Sequence, residues 1–482
     1  MSGTHTAPSG PPSVPGAALR GEIRRLAVPL SVGGLVSVLA QTLIVTALGR
    51  AGDTELYLRS LYVPVAFGFA AVCEGIGIAT QVATAQAHGR GDRSEVRRNG
   101  AGFLLLGGAL MALAVLGLTM STPLVADAMQ VTAGQRGRFE EFLRWTALAN
   151  LARVPPVVAT AMLRGQGGAA AATLSTVVGA TTEVGVVYGL GDQAGHGVFS
   201  LPWAILVGSV VSAGCAAAWV RRGGLSPVGP RPAVRRPLRL LTDVGLPVAA
   251  SYGLLSGFNL AALWVLAPLG KYAQAGYSTA YTVQTLVIVP TIALGSATAI
   301  VMNRRIGRGE HRGLTPVFGA GLRLTALWYT VVALALWAGA GPLAHGITGS
   351  RTVAPWTERY LELVGPTLPL MCLVLVALTV LEQLRQGLLA FTLNVVYFAG
   401  VVLLGSALVA PGRDPDTFFR VIAAANVTAG PAVVALAVWR IRRLSRKGGT
   451  DADTGTGRDD RPVHLSGGRT EPTEGAAGAV EP

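Results

Sequence analysis

The same text appears twice in this chain at one fixed separation, each time in or beside a long apolar segment. Pro29 in "LAVPL" returns as Pro247 in "VGLPV", an offset of 218 residues. Gly77, Ala79 and Thr80 return at that offset as Gly295, Ala297 and Thr298. The "GRGD" that starts at Gly89 returns as the "GRGE" that starts at Gly307. Such a chain must fold as two similar bundles. Duplicated membrane bundles with a substrate path between or inside the halves are a recurring plan of secondary transporters. The repeat therefore points to moving a solute across a bilayer.

Composition agrees. The 482 residues are 51% hydrophobic and only 13% charged, against about 25% charged in soluble domains. The charges crowd into short clusters between apolar runs, which leaves little room for a soluble enzyme domain. The net charge of +14 is almost all arginine, Lys271 and Lys447 being the only lysines. Between spans, basic clusters set orientation rather than bind nucleic acid, so no nucleic-acid partner is expected. Cys73, Cys215 and Cys372 sit inside apolar runs without metal-ligand spacing, and no cofactor is expected beyond a coupling ion.

A bilayer core takes about 20 apolar residues per helix. Twelve candidates fit, at about 26–48, 61–87, 99–121, 139–163, 170–190, 198–220, 240–267, 275–303, 320–345, 357–381, 388–409 and 418–440. Arginine clusters fall in alternate connections, from Arg24 and Arg25, through Arg97 and Arg98 and Arg304 and Arg305, to Arg442 and Arg443. The opposite connections hold sparse pairs such as Arg50 and Arg59. Basic loops stay cytoplasmic, so both termini are expected inside, in the plasma membrane. The expected layout is a disordered lead (1–20), an N-lobe of six spans (21–220), a cytoplasmic linker (221–239), a C-lobe of six spans (240–445) and a disordered tail (446–482). The fold class is all-α and polytopic: twelve transmembrane helices in two lobes related by a pseudo-two-fold axis.

Four pieces carry a family resemblance. "LAVPL" opens span one, which runs out into "LGRAGD". Span two ends in "GIGIATQVATAQAHGRGDRSEVRR". Span four exits through "MLRGQGG", echoed later by "LEQLRQG". "VGLPVAAS", "APLG" and "VPTIALGSATAIVMNRRIGRGE" form spans seven and eight. In this order, over residues 20–445, the chain resembles the multidrug and toxic compound extrusion (MATE) family of secondary transporters. The resemblance implies two six-helix lobes around a V-shaped cavity, alternating access, and export coupled to inward flow of H⁺ or Na⁺.

Charge inside a span costs at least ~2.5–3.5 kcal/mol and needs a reason. Glu183 lies mid-span in "VVGATTEVGVVYGLG" and falls where the family carries the Asp of an Asp-Pro pair. It is the leading coupling-ion or substrate residue, with a structural ion pair as the plainer reading. Glu74 lies mid-span in "AAVCEGIGIATQ", where the family carries no acid and where the repeat places Ile292. It is a second candidate, or a carboxyl hydrogen-bonded within the protein. Arg153, just before Pro155 and Pro156, is expected to partner one of these carboxylates. Gln41, Asn150, Tyr277 and Tyr281 are candidate cavity-lining groups. Glu382, three residues before Arg385, reads as a local helix pair, and Asp243 as a helix N-terminal acid. Two acids implied by the resemblance are missing: Ile44 stands in span one and Leu255 in span seven. This weakens sodium coupling through the second lobe.

The reading that follows is efflux of a small amphipathic or cationic solute by cation antiport, with H⁺ favoured over Na⁺, in a monomer embedded in lipid. The alternatives are a lipid-linked precursor flippase of the related superfamily and a transport-inactive binding or receptor homologue. Nothing marks an enzyme: there is no nucleophile elbow, phosphate loop or His/Cys metal set.

Overall fold

The computed structural model describes residues 16–224, 232–348, 350–409 and 416–453. Among them, eleven helical stretches are long and apolar enough to cross a membrane. In chain order they are Gly16–Ala51, Asp53–Gly89, Arg93–Ala128, Ala133–Gly165, Ala169–Gln193, Gly197–Arg222, Arg235–Leu269, Lys271–Gly307, His311–Ala338, Ala354–Leu408 and Thr417–Arg446. The tenth contains two spans. Helical geometry fails at Leu384 (φ −95°, ψ 21°) and Arg385 (φ 61°, ψ 26°), which separates span ten from span eleven, Gly387–Leu408. Twelve spans result, as the apolar runs predict.

Several ends differ from the sequence reading. Span one begins at Gly16, inside the lead expected to be unstructured, because Leu19 and Ile23 find a buried seat and extend the helix backward. Span two begins at Asp53 rather than near 61, with Asp53 and Glu55 in its first turn, where carboxylates suit the helix dipole. Arg59 is therefore a helix residue and not part of an outer loop. The last residues of the expected linker, from Arg235, already belong to span seven. The final helix runs on to Asp453. Residues 1–15 and 454–482, expected to be disordered, lie outside the described residues, as do 225–231 of the linker.

Lipid tails are as apolar as leucine, so close packing rather than water exclusion holds such helices together. Two apolar clusters occupy each half. The start of span one gives Leu19, Ile23 and Leu26 to a cluster of the second half, beside Val301, Phe318 and Leu381. The start of span seven gives Leu240, Val244 and Val248 to a cluster of the first half, beside Val82, Phe103 and Met162. At the offset of 218, Leu26 corresponds to Val244. Each half thus lends its first helix to the other's core. Bulky apolar side chains such as Leu113, Met120, Trp328 and Leu403 remain exposed on the outer face, as a lipid-facing surface requires.

Spans two and eight meet at their ends through two glycines. A Cβ on Gly89 would strike the Arg304 carbonyl oxygen, and one on Gly307 would strike the Gln86 carbonyl oxygen. Gln86 and Arg304 are themselves 218 residues apart, so the contact is reciprocal.

Candidate functional site

Span four changes register on its way through the bundle. An α-helix ends at Asn150, a 3-10 turn covers Leu151–Arg153, and a new helix starts at Val154 with prolines in its first turn. The pyrrolidine rings cannot donate, which explains the interruption. It turns Arg153 toward span five. There its Nη2 lies 3.4 Å from Glu183 Oε1, with the arginine side chain 33% exposed and the glutamate 12%. Glu183 packs on Gly208 of span six, where a Cβ would meet its side chain. Beyond Glu183, span five widens into a π-helical turn at Val187–Gln193.

Arg153 and Glu183 stand on the wall of a cavity of about 560 Å³ inside the first lobe. Gln41, Arg59, Glu74, Asn150 and Arg164 line it as well. Asn150 Nδ2 donates to the Tyr62 hydroxyl at 3.1 Å, and Arg59 Nη2 donates to Gln41 Oε1 at 3.2 Å. A second cavity, about 410 Å³, lies between the lobes. Ser37, Glu74, Arg164 and Thr176 line both, so the two spaces share a wall. Glu382 faces the inter-lobe cavity and accepts a hydrogen bond from Ser251 at 2.7 Å.

The structure thus brings Glu183, Glu74, Arg153, Gln41 and Asn150 to one cavity. It does not bring Tyr277 and Tyr281 there. Both line a separate space of about 60 Å³ in the second lobe, where Tyr277 is 1% exposed and packs against Tyr360 and Phe418. Glu382 and Arg385 do not form the expected helix pair. The break at Leu384 and Arg385 sends the guanidinium to Asp243, whose carboxylate also takes Arg239 at 3.6 Å. Of the missing acids, Ile44 is fully buried in an apolar cluster and Leu255 sits on a cavity wall. Arg59, Arg164 and Glu382 are cavity residues that sequence reasoning missed. Arg164 stood in a quoted motif, but nothing in the spacing told which way it faces.

Polar side chains bridge the lobes near the glycine contact. Gln81 donates to Gln383 at 3.0 Å and Gln86 to Asn303 at 2.8 Å, while within the second lobe Gln383 donates to Ser296 at 2.9 Å. Arg304 Nε donates to the Gly165 carbonyl at 3.1 Å.

The MatE family model matches residues 29–188 and 247–407, and its two matches begin at the repeated prolines. Multidrug resistance protein NorM of Burkholderia vietnamiensis is 28% identical over 363 residues, which cover 71% of this chain and 76% of NorM. Among solved structures, the Vibrio cholerae MATE transporter VcmN has a TM-score of 0.83 at 18% identity, over 89% of this chain and 99% of its own. A MOP superfamily transporter from Pyrococcus furiosus, described as having a binding pocket of reverse polarity that suggests a different function, has a TM-score of 0.79 at 20% identity, over 90% and 99%. At these identities the structures establish the fold: two pseudo-symmetric lobes of membrane helices.

Proposed function

This chain belongs to the MATE family of transporters, and from that premise we propose that it exports small amphipathic solutes by antiport against protons, with Glu183 as the coupling carboxylate. The observation that carries the proposal is the Arg153–Glu183 pair on the wall of the first lobe's cavity. A carboxylate held there can exchange its arginine for a proton when water reaches it from one side. The permanent charge of Arg153 disfavours a metal cation beside it but does not prevent neutralisation of Glu183. This favours H⁺ over Na⁺, in line with the absence of acids at positions 44 and 255.

In the cycle we envisage, the polar bridges at Gln81, Gln86 and Gln383 close the cytoplasmic side while the cavities face outward. A proton binds Glu183, the bound solute leaves, and the lobes rock to open inward. Release of the proton to the cytoplasm restores the solute site. Only differential binding to the two facing states can drive this swing. The arginine-rich connections support a plasma-membrane protein with both termini inside.

The test is solute export from proteoliposomes under an imposed pH gradient. Glu183→Gln should cut export at least tenfold while the protein still inserts and keeps its thermal midpoint. Unchanged export, or a sodium gradient driving the wild type equally well, would remove Glu183 and protons from the scheme. One observation favours the runner-up, a lipid-precursor flippase: Arg59 and Arg164 join Arg153 in the cavity and make it richer in cations than the sequence indicated.

A further inference from the structure

The coupling scheme leaves Arg59 unused. The residue is 7% exposed and lines the first lobe's cavity. Its Nη2 donates to Gln41, and its guanidinium carbon lies 5.7 Å from the Tyr62 ring centroid. Among the described residues, its Nε and Nη1 meet no hydrogen-bond acceptor. Guanidinium keeps its charge at any accessible pH. A buried charge without a counter-charge is poorly tolerated, so something must supply one.

Among the described residues, no carboxylate is left for Arg59: Glu74 lines the same cavity but stands 15 residues further along the same helix, about 22 Å away, and the nearer acids are engaged. Glu55, one turn earlier on the same helix, takes Arg138 at 2.6 Å and the Val198 backbone N–H at 2.6 Å. Glu183 takes Arg153. Arg164 lies further along the wall with Glu74 as its neighbouring charge and donates to Thr160 Oγ1 at 3.4 Å. Near Arg59 the wall carries the Asn150–Tyr62 hydrogen bond, the mutually paired Arg153 and Glu183, and the apolar Ala66, Phe67 and Ala70.

We infer that Arg59 receives the acidic group of an amphipathic cargo, a carboxylate or a phosphate, whose apolar body lies along Ala66, Phe67 and Ala70. Arginine suits such groups because its charge-assisted hydrogen bonds to carboxylate and phosphate are short and strong. The inference rests on the export reading and sharpens it: of the amphipathic or cationic solutes the sequence allowed, the cargo is an amphipathic one that carries negative charge, whether alone or in a zwitterion.

Two dyes with one ring system and opposite charge test it, fluorescein and rhodamine 6G, titrated against the purified full chain by fluorescence anisotropy. Fluorescein should bind at least tenfold more tightly, about 1.4 kcal/mol. Arg59→Gln should weaken fluorescein at least tenfold and leave rhodamine 6G unchanged, while Arg59→Lys recovers part of the loss. Tighter binding of rhodamine 6G to the wild type, or unaltered fluorescein affinity in Arg59→Gln, overturns the proposal. Should Arg59→Gln fail to purify, the wild type alone decides: fluorescein must raise its thermal midpoint more than rhodamine 6G does, and the reverse order overturns the assignment. Competition separates the sources of the acid. Displacement of fluorescein by a polyprenyl phosphate in vesicles indicates a lipid headgroup, displacement by soluble aryl carboxylates or phosphates indicates a free solute, and displacement by neither overturns the site. Binding is read at equilibrium without a gradient. Failure of proton coupling at Glu183 would leave this result intact, and loss of the dye preference would leave the export assay intact.

Discussion

In the first lobe, Arg59, Arg153, Arg164, Glu74 and Glu183 stand around a cavity of about 560 Å³; in the second, the cavity shrinks to about 60 Å³ and its wall is aromatic and amide. Tyr360 donates to Gln284 Oε1 at 2.5 Å, Tyr397 to Asn426 at 2.6 Å, and Asn426 to Thr367 at 2.9 Å, so the polar groups there satisfy one another. Counting the repeat offset along spans two and eight, Arg59 falls on Tyr277 and Glu74 on Ile292. Duplication kept the backbone plan and the glycines while most of the cavity's ionisable groups came to lie in the first lobe, the exception being Glu382, which stands 218 residues after Arg164 and faces the inter-lobe cavity. A symmetric scaffold therefore does not imply two equivalent sites.

The sharpest way to break this contrast is to place the missing acids back. Ile44 is 0% exposed among Ala47, Leu48, Leu58 and Phe142. Ile44→Asp should cost more than about 3 kcal/mol, since a carboxyl there has neither water nor a donor, and should appear as lost monodisperse protein. Leu255→Glu, on a wall shared by the inter-lobe and second-lobe cavities, should cost under about 1 kcal/mol because the new group reaches open space. Equal recovery of the two variants would contradict the distinction.

Arg153→Ala comes next in size. It strands Glu183, and the expected loss is about 2–3 kcal/mol in detergent denaturation, below the full penalty for a buried pair because the arginine side chain is 33% exposed. The double variant with Glu183→Gln should regain part of that loss, and no recovery would show the two side chains to be uncoupled. The smallest effect belongs to the second lobe. Tyr360→Phe removes one buried hydrogen bond, about 1 kcal/mol, and should leave export within about twofold of wild type. A larger change in export would give the aromatic lobe a part in transport that its neutral wall does not indicate.

The fold was legible because membrane insertion leaves few options: apolar length counts the spans, arginine placement orients them, and a fixed offset pairs the halves. The Arg153–Glu183 pair was half legible, since a charge so deep demands a partner and the prolines marked where span four turns. Arg59 was missed because apolar length does not show where a helix starts; two acidic residues let span two begin a full two turns earlier than its apolar run. Glu382 was misread because spacing of three assumes an unbroken helix, and the chain leaves helical geometry between it and Arg385. Arg164 was on the page, but which cavity a side chain faces depends on how a helix is rotated against its neighbours.

The paired glycines at 89 and 307 have a consequence for permeation. Where side chains plug a passage, one rotamer flip can let an ion through. Here main chain rests on main chain beside the glutamine bridges, so parting spans two and eight at this point requires whole helices to move as well as side chains to let go. A contact of this kind yields to the movement of rigid rods rather than to the rotation of one side group.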